Sequence, residues 1–181
     1  TTVSLPFTNN HGAVNVAAGT LQFASTFQQT AGLINLTNGA TIQFNNGLNL
    51  AAGTLSGNGT VVGNVSSSDT IAPGNSAGVL NITGNLTLLS TSKLIFELGG
   101  VSQGEDYDFL HVSGNAALDG QLQFTLINGF SATLNPTQTF TLLSASGLSG
   151  GFASLPSGTR LTSLDGLASF QVNYGTSSTF G

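Results

Sequence analysis

The sequence predicts an all-β protein with minimal helix, its strands stacked as a single-stranded parallel β-helix, or β-solenoid. Three observations carry this expectation. A phrase recurs between Gly12 and Val65: Gly12-Ala-Val-Asn-Val-Ala-Ala-Gly19-Thr-Leu-Gln-Phe23 returns as Gly32-Leu-Ile-Asn-Leu-Thr-Asn-Gly39-Ala-Thr-Ile-Gln-Phe44, and its opening as Gly47-Leu-Asn-Leu-Ala-Ala-Gly53-Thr-Leu. Gly12 and Gly32, like Gly19 and Gly39, stand 20 positions apart, which is a repeat period. Each copy holds two bursts of period-2 alternation, Val14/Val16 then Leu21/Phe23 and Ile34/Leu36 then Ile42/Phe44, separated by a glycine where the chain must turn. No sustained 3.6-residue period occurs anywhere. One such coil cannot bury its own apolar face, whereas coils stacked one strand spacing apart, about 4.8 Å, can. The repeat itself is compatible with either hand.

Taken in order, Val3/Leu5/Phe7 alternate but are interrupted by Pro6, which marks an edge or a terminal coil. The alternation loosens around Phe27-Gln28-Gln29, read as a corner between sides of a coil. Gly57, Gly59 and Gly63 close the repeats, and Ser66-Ser67-Ser68-Asp69 is expected as a polar loop. A compact turn at Ile71 to Gly78 opens a second block, continued by Leu80/Ile82, Leu86/Leu88 and Leu94/Phe96/Leu98. Beyond the acidic loop Gly104 to Asp108, the even positions from Leu110 to Leu126 keep one parity and are assigned to the core. The last block, Thr139 to Tyr174, is richer in aromatics and less regular. One domain over 1–181 is expected, repeat-rich over about 12–100 and looser over about 101–181.

Composition narrows the function classes. Hydrophobic residues make up 39%, enough for a core, while charged residues make up only 5%. Two basic residues, Lys93 and Arg160, against seven acids argue against nucleic acid as a partner and against anionic membrane surfaces. No apolar run reaches the roughly 18 residues of a membrane helix. The absence of cysteine removes disulfides, thiolate metal sites and cysteine nucleophiles. A chain that begins at Thr1 and has no methionine is expected to be a processed or excised piece of a longer product.

Several phrases resemble a known family. Leu55-Ser-Gly57-Asn-Gly59-Thr-Val, Ile71-Ala-Pro73-Gly74-Asn75-Ser76-Ala-Gly78 followed by Gly84-Asn85-Leu86-Thr87-Leu88, Phe96-Glu97-Leu98-Gly-Gly and Tyr107-Asp108-Phe-Leu-His-Val-Ser-Gly114 are similar to the C-terminal passenger regions of bacterial autotransporters and surface proteins with autotransporter-associated β-strand repeats. The likeness runs from about Gly12 to Tyr174. It implies a right-handed parallel β-helix outside the cell, used as a stalk or adhesin shaft. The chain departs from an intact member in having no outer-membrane barrel.

Four patterns could carry chemistry. Gly74-Asn75-Ser76-Ala77-Gly78 matches G-x-S-x-G, with Asp106, Asp108 and His111 following in triad order. A nucleophile elbow needs a strand-to-helix turn, but Val79 to Thr83 reads as strand, and the three-residue offset of Asp108 and His111 puts them on opposite faces. Gly57-Asn58-Gly59-Thr60-Val61-Val62-Gly63 has one residue too many for a dinucleotide fingerprint and no helix behind it. Glu105, Asp106 and Asp108 lie within four positions and are the candidate Ca²⁺ ligands, weighed against a solvated turn. His11 and His111 have no partner at ligand spacing. Asn15, Asn35 and Asn49 occupy comparable places in successive copies and could form a ladder, and Phe23 with Phe44 an aromatic stack.

The expectation is therefore a non-enzymatic structural or adhesive section of an extracellular bacterial surface protein. It would bear no catalytic or cofactor site and would associate end to end through uncharged terminal strands, Val3 to Phe7 and Phe170 to Tyr174. A host or glycan surface is its possible target. The competing expectations are a carbohydrate-binding or polysaccharide-cleaving β-helix and an ice-binding solenoid.

Overall fold

The structure is a computed structural model that describes residues 1–175 and 179–180. Apart from one terminal hairpin, its strands form one large sheet in which nearly every pairing is parallel and joins one coil to the next, the pattern of a parallel β-helix. Among the described residues, helix is confined to a single 3₁₀ turn at Phe130–Thr133.

Three ladders make the three faces. On the first, Val14, Ile34, Leu55, Ile71, Leu94 and Leu122 stand in register one above another. On the second the column is Leu21, Ile42, Val61, Ile82 and Val112, with Ala40, Gly59, Leu80, Leu110 and Leu143 alongside. On the third, Leu48, Val65, Leu86, Ala116 and Leu148 stack. Because neighbouring side chains on a strand point to opposite faces, each column is uniformly inside or outside. The interior columns between the first and last coils are essentially solvent-free. The outward columns are largely polar and uncharged, for example Thr20, Thr41, Thr60 and Asn81, with Lys93 standing between Thr70 and Gln121 in another.

The first two coils close around four phenylalanines. Phe23 stacks on Phe44 with ring centroids 5.6 Å apart, Phe7 on Phe27 at 5.7 Å, and the two pairs meet at tilted angles. The aromatic stack read from Phe23 and Phe44 is thus real and twice as wide. Even-numbered Leu110, Val112, Ala116, Leu118, Leu122 and Phe124 all face inward, as their parity requires.

Four local expectations are corrected. Phe27-Gln28-Gln29 is not a corner: it begins the long strand Phe27–Phe44, with Phe27 and Gln29 buried, and the turn lies just before it. Ser66-Ser67-Ser68-Asp69 is not simply a loop, since Val65–Ser67 is a strand and Ser67 is wholly buried between Leu50 and Leu88. Its hydroxyl is satisfied by donating to the Asp69 carbonyl at 2.9 Å, which is what makes a serine tolerable there. Asn49 does not continue the Asn15–Asn35 column. Asn35 is followed by Ser56, whereas Asn49 lies on another face between Gln28 and Ser66. Leu5 is three-quarters exposed and takes no part in the core.

The two ends differ. The first coil presents Phe7–Val16 as an edge strand, mostly exposed, with Phe7 uncovered on top of its stack. At the other end Arg160–Thr162 and Ser169–Gln171 pair antiparallel as a separate hairpin. Phe170 packs from this hairpin onto Phe124 and Phe140, each at 5.3 Å, and the Leu164 amide donates to the Phe124 carbonyl at 2.9 Å. The expectation of a free alternating edge at Phe170 to Tyr174 is therefore wrong: that segment belongs to a cover. Loop-borne aromatics could find a cavity to fill there, which a period-2 reading does not anticipate.

Candidate functional site

One corner of the solenoid, between the first and second faces, collects the insertions. In the lower coils it is a tight bend, at Asn38-Gly39 and then at Gly57-Asn58. In the next coil it is the turn Gly74–Gly78, then the loop 99–107, then the long segment 127–142 with its 3₁₀ turn. These insertions lean on one another. The Gln103 side-chain amide donates to the Thr141 carbonyl at 2.9 Å, and Tyr107 meets Phe140 edge-on at 5.2 Å. Rigid ladders thus hold a column of variable loops, the usual division between scaffold and site.

Two cavities open along this corner. The larger, about 680 Å³, lies between the last coil, the 134–142 segment and the C-terminal hairpin. Its floor includes Phe124, Phe140 and Phe170, and Asn135, Gln171 and Arg160 stand among its polar lining. Arg160 is braced by Nε donating to Ser169 Oγ at 2.9 Å, with a second bond to the Ser169 carbonyl. The smaller, about 370 Å³, lies between the Gly74–Gly78 turn and the strand Lys93–Leu98, and its charged lining consists of Glu97 and Asp108.

The acidic residues singled out from sequence part company. Glu105 is exposed. Asp106 turns back into its own loop, where its Oδ2 accepts the Ser102 amide at 3.0 Å, and that bond holds its carboxyl below the usual range. Asp108 points inward and is 1% exposed. Its Oδ2 accepts the Glu97 amide at 2.7 Å, while Oδ1 is sealed against the Gly74–Gly78 turn, where the Gly78 and Ala77 amides approach the carboxyl without a well-aligned hydrogen bond to Oδ1. Burial, and then the charge of Glu97, push its carboxyl up to about 7, against the pull of the Glu97, Gly78 and Ala77 amides. Glu105, Asp106 and Asp108 therefore do not converge, and among the described residues no group of three or more His, Cys, Asp or Glu side chains is placed to hold a metal ion.

The triad order in the sequence has no spatial counterpart. Ser76 sits exposed on a left-handed turn (φ 70°), the following Val79–Thr83 is a strand, and His111 lies on the outer surface with Nδ1 2.9 Å from Ser144 Oγ. Gly57 to Gly63 lies within the strand Thr54–Val62 and its exit, with no helix behind it. His11 is an exposed residue of the first coil. No described helix is long and apolar enough to cross a membrane.

Sequence reasoning missed two features. Asn9 and Gln29 form a buried amide ladder, Asn9 Nδ2 donating to Gln29 Oε1 at 2.9 Å and to the Gly12 carbonyl at 3.1 Å, with Gln29 Nε2 donating to the Ala31 carbonyl at 2.8 Å. Their shared spacing of one repeat was the available signal. Glu97 as a companion of Asp108 had no signal, because only the fold brings the strand and the loop exit together. No family model, no curated protein and no solved structure matches the chain.

Proposed function

We propose that the chain is a structural or adhesive β-solenoid, working outside a bacterial cell as a stalk or shaft section of a surface protein, without catalysis. The observation that carries this reading is the asymmetric stack: three continuous ladders, closed by a hairpin at one end and ending in an uncovered rung at the other. Unpaired N–H and C=O groups on such a rung accept another strand. A further rung, from a second copy or from more of the same polypeptide, adds on the Phe7–Val16 side. The uncharged Thr, Asn, Ser and Gln columns on the outer faces suit a shaft meeting protein or glycan surfaces through many weak contacts.

Sedimentation and negative-stain imaging of the chain over a concentration series test this. Short rods joined at one end only are expected, and Phe7→Lys, which places a charge on the uncovered stack, should return them to monomers. Globular monomers at all concentrations, unchanged by Phe7→Lys, would refute it. A carbohydrate-binding reading has one observation in its favour, the larger cleft, where aromatic rings and side-chain amides face the same space. Glycan-array binding abolished by Gln171→Ala and Asn135→Ala would support that alternative.

A further inference from the structure

The larger cleft lies where the stack stops short. The strand Gln121–Leu126 rests on Lys93–Leu98, and among the described residues no strand pairs with its other side, although the second and third faces each carry one more rung, at Leu143–Ser144 and Gly147–Gly150. The bonds it makes fix the direction of its backbone groups. The Gln121 amide donates to the Ser92 carbonyl at 2.8 Å and the Ile127 amide to the Leu98 carbonyl at 2.9 Å, so the odd-numbered residues turn toward the coil below. The even-numbered residues turn their N–H and C=O the other way, since these groups alternate sides along a strand. There the Gly120 carbonyl accepts the Ala153 amide at 2.7 Å, and the Phe124 carbonyl accepts the Leu164 amide at 2.9 Å. The Leu122 amide and carbonyl and the Phe124 amide find no such partner among the described residues, though the two residues are only 5% and 3% exposed. Backbone groups left unpaired in so closed a place call for a partner.

The space beside this edge has the size and chemistry to supply one. At about 680 Å³ it falls within the range of binding pockets, roughly 300–1,000 Å³. Its floor is apolar, and Arg160 is the sole charged residue of its lining. Ser169 holds Nε and Nη2 of that guanidinium, which leaves Nη1 for a ligand. Asn135 Oδ1 accepts the Thr137 amide at 3.0 Å and the Thr137 hydroxyl at 2.9 Å, and Gln138 Oε1 accepts the Asn135 amide at 2.9 Å. Both side chains therefore keep an NH₂ group as their free end. Arg160, Asn135 and Gln138 together offer donors, and no acidic side chain of the lining opposes an anion.

We propose that this cleft binds an extended peptide of another protein by strand addition to Gln121–Leu126, with the peptide's C-terminal carboxylate held by Arg160. Strand addition satisfies the three unpaired backbone groups, and capture of a terminal carboxylate by clustered donors gives the peptide its polarity. The peptide residue opposite Leu122 shares its inward side and continues the Leu94–Leu122 column, so it must be apolar, with polar residues on either side of it. A neutral glycan would lie on the rings but leave Arg160 without a counter-charge. The site is independent of whether the chain serves as a shaft.

The test is NMR of the whole chain with a mixture of N-acetylated pentapeptides that alternate apolar residues with threonine or serine and end in a free carboxylate. In the free chain the Leu122 and Phe124 amides should exchange with solvent about tenfold or more faster than those of Gln121 and Gln123. With peptide at about 1 mM both amides should shift and become protected. C-terminally amidated peptides should bind about tenfold more weakly, and fully N-methylated ones not at all. Arg160→Gln should erase the difference between acid and amide; if that change loosens the hairpin, the comparison on the parent chain decides. The proposal is overturned if the Leu122 amide of the free chain is as protected as that of Gln123, or if no peptide of the mixture binds at about 1 mM. It is overturned equally if amidated or N-methylated peptides bind as well as the acids, or if neutral oligosaccharides occupy the cleft in place of the peptides.

Discussion

Truncating phenylalanines at two depths of the same column tests the stacking directly. Phe96 and Phe124 are register partners on adjacent coils, 0% and 3% exposed, and Gln123 precedes Phe124 on the opposite side of its strand. Removing a buried phenylalanine costs the transfer of its ring plus a cavity term, about 3–5 kcal/mol in all. Phe96 is closed in on every side and is not part of a cavity wall, so Phe96→Ala should fall near the top of that range. Phe124 borders the large cleft, and the space left by its ring would merge with an existing opening. Phe124→Ala should therefore fall near the bottom, about 3 kcal/mol, and Gln123→Ala should stay within about 0.5 kcal/mol of the parent. For a chain of this size these differences correspond to roughly 6–20 °C in Tm for the two phenylalanines. Urea unfolding followed by circular dichroism, with the m value monitored because stacked coils can unfold in steps, gives the ranking. Equal losses for Gln123→Ala and Phe96→Ala would refute the inward parity, and Phe124→Ala costing more than Phe96→Ala would refute the role assigned to the cleft.

Further outcomes follow from other residues. Gly57→Ala should unfold the chain or cost several kcal/mol, because φ is 111° and the new Cβ would lie 2.0 Å from the Leu36 carbonyl oxygen; a variant as stable as the parent would contradict the coil spacing. Asn9→Leu and Gln29→Leu should each cost about 1–3 kcal/mol by stranding a buried amide, and the double variant should cost less than their sum; strict additivity would show that the pair does not interact. Asp108, raised by burial from its ordinary 3.8 to about 7, makes the folded state hold a proton that the unfolded state has lost. Its contribution to stability should therefore fall as pH climbs from about 4 to about 7 and level off above, and Asp108→Asn should flatten that slope. Asp106 and Asp165, held low by the Ser102 amide and the Ser163 hydroxyl respectively, act in the opposite sense, their contribution being lost as acidification passes below the ordinary carboxylate range.

The sequence by itself determined the architecture. Alternation is a local property, and a strand has only two faces, so Ile34/Leu36, Ile42/Phe44, Leu80/Ile82 and Leu122/Phe124 announced their inward sides without any knowledge of their neighbours. The recurring phrase determined that like would stack on like, and Phe23 over Phe44 followed from the matching of Leu-Gln-Phe23 with Ile-Gln-Phe44, although one extra residue after Gly39 puts them 21 positions apart and not 20. What local pattern could not supply is which coil length follows which, since each corner absorbs extra residues without disturbing the ladders beside it. Only the tertiary structure decided that Asn49 leaves the asparagine column, that Ser67 occupies an interior place between two leucines, and that Asn9 and Gln29 pair inside. The same holds for the site. Glu105, Asp106 and Asp108 are adjacent in sequence, yet the chain turns at Tyr107 to enter the second face, sending Asp108 inward toward Glu97 and the Gly74–Gly78 turn while Glu105 stays in solvent. Neighbours along the chain share a charge pattern, but which carboxylates share a cavity depends on how coils are stacked, and that is settled by the burial of the ladders as a whole.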